Sequence, residues 1–241
     1  MDPVRSYANR SWAILRIQFP NPLQMNKKRF LDLCARNAGQ ANGRAFDAWF
    51  DAIAGHYRES HRRYHTPEHV DHCLRQFDLV GGMLEEPDAV ELAVWYHDAV
   101  FDTEGTDNEL RSAQLFEAHA SQCMAPTLVR TVHGLIMVTV HSREEPTTRD
   151  QCFMVDIDLS SFGLPWLEFL RDSVAVREES PHLSDEVFYA KQRKFLTTLL
   201  SREHFYFTAF FRERHEQRAR DNVSRYLASL GRGTSHEGAG E

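Results

Sequence analysis

The run Glu91-Leu92-Ala93-Val94-Trp95-Tyr96-His97-Asp98-Ala99-Val100-Phe101-Asp102-Thr103 constrains the fold more than any other part of the chain. An imidazole and a carboxylate sit side by side in an otherwise apolar segment. Such a segment belongs in a core, where an unpaired charge is costly. The fold must therefore bring His97 and Asp98 a partner from elsewhere. A buried hydrogen bond between histidine and aspartate is one solution. A divalent metal is the other, because it takes nitrogen and oxygen ligands together.

Helical periodicity dominates the rest of the sequence, and alternating strand patterns are almost absent. Phe30, Leu31, Cys34 and Ala35 form a short apolar stripe. Phe46, Trp49, Phe50 and Ile53 form the next, after a break at Gly39 and Gly43. Thr66-Pro67 reads as an N-cap followed by proline at the first helical position, opening a helix that runs to Gly81-Gly82. Pro87-Asp88 opens the helix that carries His97 and Asp98, and Asp107 and Pro126 start two more. Arg149 to Leu159 reads as helix, stopping at Gly163, and Pro165, Ser184 and a point near Phe210 begin the last three. The expectation is an all-α, single-domain bundle of about nine or ten helices. Its connections are short, with no linker rich in glycine, serine or proline.

The chain has 241 residues, 42% of them apolar and 26% charged, which is ordinary for a globular protein with a sizeable core. A net charge of −7 argues against a partner that is a nucleic-acid polymer. It leaves room for a small phosphorylated substrate, which needs only local positive charge. No run of about eighteen apolar residues predicts a membrane span. Four scattered cysteines without a C-x-x-C pair (Cys34, Cys73, Cys123, Cys152) read as reduced thiols of a cytoplasmic protein. Residues 1–26 read as an N-terminal extension, 27–230 as the helical domain and 231–241 as a disordered tail. Oligomeric state is not legible.

Thirteen histidines are present, and their placement matters more than their number. Arg62-Arg63-Tyr64-His65-Thr66-Pro67-Glu68-His69-Val70 puts His65 just before a helix and His69 in its first turn. Taken alone, His69 and His72 suit surface or capping roles, and His65 is similarly ambiguous. The order His65, His97-Asp98, then Asp158 in Met154-Val155-Asp156-Ile157-Asp158-Leu159-Ser160 is more specific. This H…HD…D series resembles the HD superfamily of metal-dependent phosphohydrolases, and more narrowly a bacterial group of predicted metal-dependent HD phosphohydrolases. The resemblance continues through Asp107-Asn108-Glu109-Leu110-Arg111-Ser112-Ala113, Val176-Arg177-Glu178-Glu179 and Ala219-Arg220-Asp221-Asn222, and so covers residues from about 43 to 230.

The resemblance implies a metal held by His65, His97, Asp98 and Asp158. Asp156 lies roughly 200° around a helix from Asp158, so both should not face one ion. The expected ion is Mn, Fe, Co, Ni, Zn or Mg, of undetermined identity, with its bound water as the expected nucleophile. Asp102 is the first choice for the base that orients or deprotonates this water, as it lies one helical turn after Asp98; Glu109 is the second. Arg62, Arg63, Arg111, Arg177 and Arg193 could meet substrate phosphate, as could His69 and His141. His133, among Val132, Leu135 and Ile136, reads as an ordinary packed histidine. One departure stands out: Phe101 occupies a position where alarmone hydrolases and nucleotidases of the superfamily carry a glutamate. The expected function is hydrolysis of a phosphate ester or nucleotide. The alternative is a catalytically weak regulatory module that binds metal or nucleotide.

Met25 is the expected natural start, with residues 1–24 a leader or an overlong gene reading. N-terminal mass determination on protein from its native host should find a chain beginning at Met25; one beginning at Met1 rejects this.

Overall fold

The computed structural model describes residues 25–39, 43–141 and 145–231. The expected leader and tail lie outside these residues, apart from Met25, Asn26 and Gly231. The described residues are all-helical, with an isolated bridge between Ala38 and Met124 and no strand. They divide into two compact units that meet at Leu159 and Ser160, where the sequence suggests one domain. The boundary runs inside a 3-10 helix, Leu159–Gly163, so it has no linker composition to betray it. No helix among the described residues is long and apolar enough to cross a membrane.

The first unit contains α1 (Lys27–Asn37), α2 (Gly43–His56), α3 (Pro67–Val80), α4 (Pro87–Tyr96), α5 (Asn108–Ala120), α6 (Pro126–Met137) and α7 (Arg149–Asp158). Proline at the first turn starts α3, α4 and α6, where its missing N–H costs nothing. A reciprocal capping box of Thr148 and Gln151 starts α7.

Helix α4 is buried on every face from Ala89 to Tyr96. Its apolar sequence demands this, since a helix apolar all round has no face to give to water. Helices α1, α3, α5, α6 and α7 all pack on it. The one charge within that buried stretch, Glu91, accepts from Arg29 Nε at 2.7 Å and Arg36 Nη2 at 3.4 Å. Its start is held by Asp150 of α7, whose carboxylate accepts from the Glu85 and Glu86 amides at 2.9 and 2.7 Å. A carboxylate at a helix amino end satisfies otherwise unpaired N–H groups and complements the helix dipole.

The sequence expectation for the end of α4 needs correction. The helix stops at Tyr96, with His97 as its C-cap, and residues 97–100 form a turn. Asp98 and Asp102 are therefore not one helical turn apart. The Asp102 backbone is instead held by Asn108, through paired bonds of 2.9 and 3.0 Å to its side-chain amide.

The second unit contains α8 (Trp166–Glu178), α9 (Asp185–Ser201) and α10 (Ala209–Gly231), with α8 and α9 both packed on α10. Asn222 of α10 donates to the Phe162 and Leu164 carbonyls, both at 2.8 Å. This draws the Gly163 turn against His215, where a Cβ on Gly163 would stand 2.6 Å from the His215 Cβ. Gly163→Ala should destabilise the protein by about 1–3 kcal/mol through overpacking, read as a lower midpoint in urea unfolding.

Candidate metal centre

Three separated segments of the first unit meet at one point. Helix α3 brings His69 and Cys73, which are one turn apart and so share a face. That face is set by the stripe Val70, Cys73, Leu74 and Phe77, all buried. The carboxyl end of α4 brings His97 and then Asp98, and Asp158 is the last residue of α7.

The separations are those of a coordination shell. His69 Nε2 lies 3.1 Å from His97 Nε2, 3.4 Å from Asp98 Oδ2 and 3.3 Å from Asp158 Oδ1. His97 Nε2 lies 3.1 Å from Asp98 Oδ2 and 3.4 Å from Asp158 Oδ1. With metal–ligand bonds of about 2.0–2.2 Å, octahedral or tetrahedral geometry places neighbouring ligand atoms about 2.8–3.6 Å apart. All five distances fall in that window.

The tautomer of His97 supports the same reading. Its Nδ1 donates to the Val94 carbonyl at 3.0 Å, since a carbonyl can only accept. In the neutral ring this leaves the Nε2 lone pair facing the cluster, the orientation a metal ligand needs. Asp98 and Asp158 also sit at the carboxyl ends of α-helices, where the dipole disfavours anions and favours a cation.

Charge balance in the protein without an ion points the same way. Burial opposes protonation of His97, yet the neighbouring Asp98 and Asp158 outweigh it and hold its pKa well above the ordinary value. Burial likewise opposes protonation of His69, and the surrounding Cys73, Tyr64, Asp158 and Asp98 overcome it. Burial would raise the Asp98 and Asp158 pKa values, but the histidines around them hold both well below the usual carboxylate range. The two carboxylates favour positive charge at this buried place.

Outside this group the expected residues fall differently. His65 Nε2 is 4.0 Å from Asp98 Oδ2, and its ring stacks on Phe101 with centroids 4.3 Å apart. His69, expected near substrate phosphate, takes the position in the candidate ligand group that the resemblance implied for His65. The reason is helical phase. His65 precedes α3, while His69 lies on its inward stripe. His141 Nε2 lies 2.8 Å from Asp158 Oδ2 and so orients that carboxylate. Its backbone is left-handed, with φ 53°, which turns its ring at the end of the 3-10 helix Val138–Val140. His133 pairs with Glu117 at 2.8 Å, as an ordinary packed histidine would.

Of the two expected bases, Glu109 is the one coupled to the centre. Burial pushes its carboxyl above the ordinary glutamate pKa, and the charges of Asp98 and Asp158 push the same way. Asp102 is half exposed, accepts from the Glu104 amide and lies 3.6 Å from Arg111 Nη1. Arg63 donates to the Ser60 and Arg62 carbonyls. Arg177 and Arg193 belong to the second unit. There Arg177 binds Asp185 at 2.6 Å and the Ser180 and Leu183 carbonyls, and Arg193 is exposed.

Arg62 has a role that the sequence did not reveal. It is buried and donates to the backbone carbonyls of His65, Asp98 and Ala99 at 3.1, 2.7 and 2.8 Å, with Glu59 on its Nε at 3.1 Å. It ties the segment before α3 to the turn after α4, and so fixes how His69 and Asp98 face one another.

In comparisons with known proteins, no family model, no curated protein and no solved structure matches the chain. A buried group of histidine, cysteine and aspartate able to hold a metal ion is what the geometry itself provides.

Metal binding should release protons, because an ion must displace those held on His69 and His97 below their raised pKa values. Apparent affinity should therefore weaken as pH falls through neutrality. Calorimetry in buffers of different ionisation enthalpy checks this. A binding enthalpy independent of buffer contradicts it.

Proposed function

We propose that the chain is a metal-dependent hydrolase of the HD type, acting on a phosphate ester or nucleotide. The observation that carries the reading is the convergence on two histidines: His69 Nε2 and His97 Nε2 lie 3.1 Å apart, and each lies within 3.4 Å of an oxygen of Asp98 and of Asp158. The adjacent His97-Asp98 pair at the core of this cluster is the signature that the sequence shares with that superfamily. His69, His97, Asp98 and Asp158 would hold the ion, and His141 would keep Asp158 turned toward it. When bound, a divalent ion lowers the pKa of coordinated water and offsets charge building on phosphorus.

Glu109 is the residue best suited to move a proton in this site. Its carboxyl is partly buried, is coupled to Asp98 and Asp158, and has a pKa raised toward the working range of a general acid or base. Arg111, two residues further along α5, would supply positive charge to a phosphate on leaving Asp102. Exposed pairs of this kind are weak enough to exchange.

A second reading has its own observation. Phe101 stands where the superfamily's alarmone hydrolases and nucleotidases carry a carboxylate, and its ring is stacked on His65. A module that binds metal or nucleotide with little turnover would need no acidic group there.

Hydrolysis of a panel of nucleotides and phosphate esters, supplemented in turn with Mn, Co, Ni, Zn and Mg, separates the two readings. We expect product from at least one ester. His97→Ala and Asp98→Ala should each lower the rate by more than about 100-fold while circular dichroism stays helical. Unchanged rates in both variants overturn the hydrolase reading. Tight nucleotide binding with no product under any metal supports the regulatory module.

A further inference from the structure

Cys73 has no part in the chemistry proposed above. We propose that its Sγ is a sulfur ligand of the same centre, biasing it toward zinc, cobalt or iron and away from magnesium or manganese. The proposal rests on the metal-centre reading and goes beyond it in naming a donor of a different chemical class.

Cys73 is fully buried on α3, one turn after His69 and on the same face. Its Sγ lies 3.7 Å from His69 Nε2. The ligand atoms of His69, Cys73, His97 and Asp158 all lie within 4.8 Å of one another. An ion with bonds of about 2.3 Å to sulfur and about 2.0–2.1 Å to nitrogen places those two donors about 3.1–3.8 Å apart for the bond angles of about 90–120° between neighbouring donors in a five- or six-coordinate shell. The observed spacing falls in that range.

A buried cysteine often serves as a small apolar residue whose thiol donates weakly to a neighbour. Here that role meets a conflict. The His69 Nε2 that would accept from the thiol is also 3.1 Å from the His97 nitrogen and within 3.4 Å of two carboxylate oxygens. One proton cannot serve all these contacts, whereas one ion can.

On coordination a sulfur–metal bond forms and the thiol proton passes to solvent, with no change of oxidation state. A soft thiolate among imidazoles and carboxylates favours zinc, cobalt and iron, because magnesium and manganese prefer an all-oxygen shell.

Cobalt(II) titration of the full chain tests this, since two spectral regions report separate facts. Visible ligand-field bands report that cobalt is bound, and a near-ultraviolet sulfur-to-cobalt charge-transfer band reports a thiolate ligand. We expect both in the native protein and in a variant carrying Cys34→Ser, Cys123→Ser and Cys152→Ser. Cys73→Ser should keep the visible bands, lose the charge-transfer band and lower the preference for zinc over manganese by about 10-fold or more. Native protein showing visible bands without the charge-transfer band overturns the role of Cys73 and leaves the metal centre intact. A charge-transfer band surviving in folded Cys73→Ser also overturns it. Absence of every cobalt band overturns the metal centre itself, and this proposal with it.

Discussion

The burial of α4 on all sides is the constraint on which the rest of the first unit depends. An apolar helix with no wet face must be wrapped, and α1, α3, α5, α6 and α7 do the wrapping. These include the elements that deliver the remaining site residues: α3 carries His69 and Cys73, α5 carries Glu109, and α7 carries Asp158. Helix α6 leads into the 3-10 turn that ends at His141. Packing that hides Leu92 and Trp95 from water therefore also gathers the polar groups at the carboxyl end of the same helix. The hydrophobic effect sets where the site is, and its candidate ligands sit at the carboxyl end of α4.

At that end, opposing costs are resolved together. Two carboxylates at helix carboxyl ends are unfavourable on their own, and two buried imidazoles facing each other at 3.1 Å are no better. Each pair moderates the other: the carboxylates raise the histidine pKa values against burial, and the histidines lower those of the aspartates. A divalent cation satisfies both at once. The same logic explains the surrounding bonds: Val94 orients His97, His141 orients Asp158, and Arg62 locks the two backbone segments that present His69 and Asp98.

Much of the fold was legible because helix signals are local. Pro67, Pro87 and Pro126 marked starts that the structure keeps, and Ser184 caps α9 through the Val187 amide as its position suggested. The division at Leu159 and Ser160 was not legible, since a boundary within continuous helix leaves no trace in composition. Within the candidate site, the resemblance pointed to His97, Asp98 and Asp158, whose side chains the structure brings together, and to Glu109, whose carboxyl is coupled to the two aspartates. Asp102 misled because its place near the centre depended on α4 continuing past Tyr96, and that helix ends one residue before the motif begins.

The sequence by itself determined that this chain is helical, that one helix must be entirely buried, and that His97 and Asp98 at its end need a partner. Those properties follow from periodicity and polarity within a few residues of each position. Only the tertiary structure decided the rest: His69 over His65 among the ligand atoms, Cys73 beside them, His141 on Asp158, and Arg62 as a clamp. The physical reason is that sharing an ion is a condition on where lone pairs from α3, α4 and α7 end up in space. No local pattern carries the packing angles that put them within 3.4 Å of one another.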